Sequence, residues 1–136
     1  GRRMIRPLVA LALAALPLPA PAEGLPIRLN ALEAAGDACR LSFVIANTLP
    51  TAIGAAVLEA VVLDPAGRVA RMARLDLGAL PKGRERVRSF DLPGLPCTDV
   101  GALLLTGFSA CDGPDAGACD RALVAGSDVA GVGVRR

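Results

Sequence analysis

From Pro26 onward, apolar and polar positions alternate in short runs separated by turn signals, with no long stretch of 3.6-residue periodicity. The cleanest run covers residues 39–47. Leu41, Phe43 and Ile45 fall on one face and Arg40, Ser42 and Val44 on the other, the pattern of a half-buried strand. Residues 26–33 form an expected first strand, and Ala34-Ala35-Gly36-Asp37 turns the chain. Beyond a loop at Leu49-Pro50-Thr51, residues 55–63 are apolar on both faces except at Glu59, which predicts a central strand. Asp64-Pro65-Ala66-Gly67 places proline second and glycine fourth, as a type I turn prefers.

Residues 68–77 carry arginines at a spacing of three, so a helix competes here. Turn signals on both sides and the alternation Leu75-Asp76-Leu77 favour a strand with a bulge. Leu80-Pro81-Lys82-Gly83 turns again, and residues 84–92 predict the next strand. Arg86 and Arg88 share parity with Phe90, so its buried face is expected to switch along its length. Residues 100–110, with Leu103-Leu104-Leu105 and Phe108, read as a well-buried strand. Residues 119–125 read as an edge strand and 127–136 as a loose tail.

About seven short strands, roughly ten residues apart, predict an all-β domain over residues 23–126. The expected architecture is an immunoglobulin-like antiparallel β-sandwich, with a partly open β-barrel as the alternative. The stretch from Leu92 to Val100, with Pro93, Gly94 and Pro96, reads as the long crossover of a Greek key.

The chain's first residues follow a different rule. Arg2, Arg3 and Arg6 precede an apolar run over residues 7–18, and Ala20-Pro21-Ala22 follows, then Glu23. A basic stretch, a short apolar stretch and a small-x-small site make a secretory signal, with cleavage expected after Ala22. The run falls short of the roughly 20 apolar residues a membrane span needs. Arg2-Arg3 admit a twin-arginine route, but Arg6 stands where a second apolar residue is expected, which favours the general route. The reading is a periplasmic protein.

Export changes the meaning of the composition. The formal charge of +2 becomes −1 once Arg2, Arg3 and Arg6 are removed, so the overall basicity is no sign of a nucleic-acid partner. The core must come from Leu, Ile, Val and Ala, since Phe43, Phe90 and Phe108 are the only aromatic residues. Such a core gains from covalent staples, and four cysteines in an exported chain read as two disulfides. Of three pairings, Cys111–Cys119 and Cys39–Cys97 are favoured: the first closes a short Gly/Pro/Asp-rich loop and the second joins distant strands. No CxxC pair is present, which argues against a cysteine metal site or a redox motif.

Four stretches also carry a resemblance: Gly36-Asp37-Ala38-Cys39-Arg40, Leu63-Asp64-Pro65-Ala66-Gly67, Phe90-Asp91-Leu92-Pro93-Gly94-Leu95-Pro96-Cys97 and Leu103-Leu104-Leu105. Together, across residues 36–119, the chain resembles small alphaproteobacterial periplasmic proteins labelled by a twin-arginine-type signal sequence. The resemblance implies a periplasmic domain with no catalytic residues to carry over. It also implies proximity to proton-channel-type energiser proteins of the inner membrane, and so a partner in an envelope complex.

The chemistry available is narrow. The chain holds no histidine, so Ser-His-Asp and Cys-His hydrolases are excluded. The only lysine, Lys82, lies in a proline-glycine turn and not in a burial pattern. Tyr and Trp are absent, which removes the usual sugar platforms and base-stacking surfaces. These absences predict a non-catalytic module with no cofactor. Its most distinctive surface lies in residues 68–88, where Arg68, Arg71, Arg74, Lys82, Arg84, Arg86 and Arg88 face only Asp76 and Glu85, a local +5. If the two strands there pair as a hairpin, the arginines converge on a patch suited to an acidic protein partner in the cell envelope, or to peripheral contact with anionic lipid. The alternative is a small-ligand or calcium site at Asp112, Asp115 and Asp120 around the short cysteine loop.

Overall fold

The computed structural model describes residues 3–17 and 24–136. Residues 3–17 are exposed throughout, with Leu8 at 98% and Met4 at 91% of full exposure. An apolar run that finds no place on the folded domain is consistent with a signal peptide. Arg2 and the cleavage site expected after Ala22 lie outside the described residues. Among the described residues no helix is long and apolar enough to cross a membrane.

The domain is built from β1 (Leu25–Ala35), β2 (Ala38–Ala46), β3 (Ile53–Leu63), β4 (Val69–Leu80), β5 (Glu85–Leu92), β6 (Ala102–Asp112), a helical turn α1 (Ala118–Ala122), β7 (Leu123–Ser127) and β8 (Gly133–Arg135). They form two four-stranded sheets, in the orders β5-β2-β1-β7 and β4-β3-β6-β8, packed as a sandwich and not closed into a barrel. The alternation in β2 is borne out: Leu41, Phe43 and Ile45 are buried while Arg40 is exposed. Leu25, Ile27 and Leu29 of β1 join them from the neighbouring strand, and Leu58, Leu75, Leu77, Leu103 and Leu105 from the second sheet complete one core cluster. Each fully buried Leu or Ile contributes about 1.5–3 kcal/mol relative to exposure. Phe43 is the only aromatic ring fully inside; it meets the half-buried Phe90 edge to face at 6.1 Å.

β3 is central as expected, flanked by β4 and β6. The period-three arginines do not make a helix: residues 69–80 are a strand, and its pairing with β3 carries register shifts. The turn after β3 is held by Gly67 N–H donating to Asp64 O at 2.9 Å and by the Asp64 carboxylate, which accepts from Ala66 and Arg68 N–H at 2.9 Å each. Gly101 fits against this turn because it has no side chain; a Cβ there would lie 2.5 Å from Asp64 O.

Both favoured disulfides form, Cys39–Cys97 and Cys111–Cys119. Cys97, however, lies in a 3-10 turn (Cys97–Asp99) and not in a strand. The bridge therefore pins the crossover from β5 in one sheet to β6 in the other, where Leu95 and Val100 are also buried. Disulfides of this kind belong to an oxidising, extracytoplasmic setting.

The C-terminal quarter departs from expectation. Residues 119–125 are not one edge strand, because Cys119 sits in α1 and only Leu123–Ser127 is extended. Residues 127–136 are not a loose tail either. Val129, Val132 and Val134 pack against the core, and β8 pairs with β6. The count rises to eight strands. Two of the pairings, β1 with β7 and β6 with β8, are parallel, so the sheets are not purely antiparallel.

Candidate functional site

β4 and β5 do not form the expected hairpin. Each is the edge strand of a different sheet, and residues 81–84 carry the chain across the sandwich between them. The arginines are consequently strung along one open flank of the sandwich and do not gather on one sheet face. Nor does the face of β5 switch. Arg86, Arg88 and Phe90 are all half-buried, on the side where Leu92 is buried, and they stand opposite Ile45, Phe43 and Leu41 of β2. An edge strand tolerates this because a long arginine stem can lie along apolar surface while the guanidinium reaches the rim.

The flank sorts the cations into two groups. In the first, the charge is spent within the fold. Arg88 donates to Leu77 O at 2.8 Å and Ala79 O at 3.2 Å across the gap on β4, and to Val87 O at 3.2 Å on its own strand. Arg86 donates to Glu85 O at 3.0 Å, and Arg71 to Pro93 O at 2.7 Å. In the second group, Arg68, Lys82 and Arg84 are exposed and, among the described residues, make no side-chain hydrogen bond or ion pair. Arg74 lies between the groups: it pairs with Glu59 at 3.0 Å while its side chain stays 73% exposed.

The turn bearing Lys82 and Arg84 is held from below by Asn47, whose importance sequence reading missed. Asn47 is 1% exposed; its amide donates to Leu80 O at 2.9 Å and Thr51 O at 3.0 Å, and its backbone carbonyl accepts from Gly83 N–H at 2.8 Å. The signal in the sequence was parity, since Asn47 continues the face of Leu41, Phe43 and Ile45, and a polar residue on a buried face needs partners.

The acidic loop is arranged differently from a cation site. The Asp120 carboxylate accepts from Phe108 N–H at 2.8 Å, and among the described residues no three acidic or cysteine side chains gather as metal ligands. Beside it is an open cleft of 420 Å³ lined by Leu104, Leu105, Thr106, Gly107, Asp120, Leu123 and Arg136, with Arg136 donating to Asp120 O across it.

The outer face of the first sheet carries polar pairs beside exposed Val87 and Val124. Ser42 and Ser89 share a hydrogen bond at 2.8 Å, and Arg40 pairs with Asp91 at 2.7 Å. The bond from Arg40 holds the Asp91 carboxyl below its ordinary value, and the same bond raises the Arg40 guanidinium. A depressed carboxylate contributes stability that is present above its unfolded value and lost as pH falls through its folded one. Both groups are exposed, so the contribution is small. Arg40→Ala is expected to move the Asp91 titration upward by NMR; an unmoved midpoint would contradict this pairing.

No protein-family model, curated protein or solved structure matches this chain.

Proposed function

We propose that this chain is a non-catalytic periplasmic module, released by cleavage after Ala22, that docks an acidic protein partner in the cell envelope through the open flank between β4 and β5. The observation that carries this reading is the set of exposed cations left over once the fold has used its own. Arg68, Lys82 and Arg84 stand free at the two ends of β4, which at about 3.3 Å per residue extends about 40 Å, and Arg74 between them stays largely exposed in its pair with Glu59. Cations that serve no internal bond, on elements held rigid from beneath, suit recognition of a complementary surface at low ordering cost. The disulfides and the exposed apolar leader support the compartment. The resemblance to alphaproteobacterial periplasmic proteins supports an inner-membrane complex as the partner's place.

The test follows the same division. Arg71, Arg86 and Arg88 are unsuitable probes because they bond the fold. The triple change Arg68→Glu, Lys82→Glu and Arg84→Glu touches no internal bond and is expected to shift stability by only about 0.5 kcal/mol per site. Crosslinking in the native envelope should then lose the captured partner by about tenfold or more relative to the unaltered chain. Undiminished capture by the folded variant sinks the proposal. Binding to anionic vesicles with no protein captured would replace the protein partner with a lipid surface.

A further inference from the structure

Several backbone groups on the β4/β5 flank are bonded by side chains of the same flank. β4 and β5 are edge strands, and an edge presents unpaired backbone donors and acceptors that can template another strand. On β4, Leu77 O and Ala79 O both accept from the Arg88 guanidinium, and the Gly78 N–H between them donates to the Asp76 carboxylate at 2.9 Å. On β5, Glu85 O accepts from Arg86 and Val87 O from Arg88. Gly78, in the left-handed region at φ 66°, lies directly under Arg88: a Cβ there would be 3.9 Å from its Nε and Nη2. The strand kinks where the guanidinium crosses it, and one side chain covers edge acceptors of both sheets.

We propose that Arg88 is a built-in guard that keeps the edges of β4 and β5 from accepting a strand of a second copy of this chain. Guanidinium suits the task. Its fork of donors is rigid, stays charged at every working pH and can satisfy several carbonyls at once. An incoming strand would have to displace Arg88 from Leu77 O, Ala79 O and Val87 O before making its own bonds. It would also bury the displaced charge. The guard stands independently of the proposed docking function, since it uses the arginines that have internal bonds.

Arg88→Met tests it by keeping the apolar stem and removing every donor. Sedimentation over a concentration series, with hydrogen exchange on the same samples, reads the outcome. The unaltered domain is expected to remain monomeric. The variant is expected to self-associate at least about tenfold more strongly, the gain when two freed carbonyls each accept a bond from an incoming strand. New exchange protection should appear at β4 or β5 amides as it associates. A folded Arg88→Met that stays as monomeric as the unaltered chain overturns the proposal, as does association that leaves the β4 and β5 amides unprotected. If Arg88→Met does not fold, Arg88→Gln decides. Glutamine can reach only part of the donor set, so stronger association of the folded variant supports the guard and unchanged association overturns it.

Discussion

The double substitution Cys39→Ala/Cys97→Ala is expected to cost the folded domain about 4 kcal/mol and lower its Tm by roughly 15–20 °C. The bridge spans 58 residues of sequence, so losing it returns a large loop to the unfolded ensemble. Its position adds to the effect. Cys39 is fully buried on β2, and the bridge fastens the crossover that carries Leu95 into the core on its way to the second sheet. Removing Cys111–Cys119, which spans only 8 residues, is expected to cost less, about 2.5 kcal/mol by the same chain-entropy argument. Urea unfolding of the oxidised domain and the two variants measures both. Equal losses, or a larger loss from the short bridge, would show that the long bridge does not act by restraining the unfolded chain.

Both bridges could be read from the sequence because four cysteines allow few pairings, and a short loop with turn residues closes easily. β2 was legible for a related reason: Leu41, Phe43 and Ile45 alternate with polar neighbours, and alternation is what one-sided burial writes into a strand. The arginines of β5 mislead because charge ordinarily marks a solvent-facing position. Their parity was right all along; the missing fact was that β5 is an edge strand whose guanidiniums find carbonyls at the rim. β7 and β8 were obscured by distance. Leu25 pairs with Leu123 and Ala102 with Gly133, and nothing local announces a parallel partner so far along the chain. The candidate site was legible only as a charge count over residues 68–88. Which cations are free and which are spent depends on the partition of β4 and β5 between two sheets, and no spacing rule encodes that.

Asn47→Ala should be the most damaging single polar change, with an expected loss of about 3 kcal/mol. The substitution removes two donations and one acceptance at once: to Leu80 O, to Thr51 O and from Leu49 N–H at 3.0 Å. Leu80 O is left in a buried place with one partner fewer, and an unsatisfied buried group costs about 1–3 kcal/mol. The consequence reaches the proposed docking surface, because the same residue ties the loop after β2 to the turn after β4. With the Asn47 amide gone, the turn that carries Lys82 and Arg84 loses its tie at Leu80 O, while the backbone bond from Gly83 N–H to the carbonyl of residue 47 and both cations remain. That carbonyl is no longer fixed in place by the bonds to Leu80 O and Thr51 O, so amide exchange at Gly83 should accelerate beyond the change in global stability, and partner capture should weaken without any charge having been altered. Destabilisation with Gly83 exchange tracking only global unfolding would show that Asn47 serves the core alone. Retained capture with a mobile turn would mean that the cations work without being held in place.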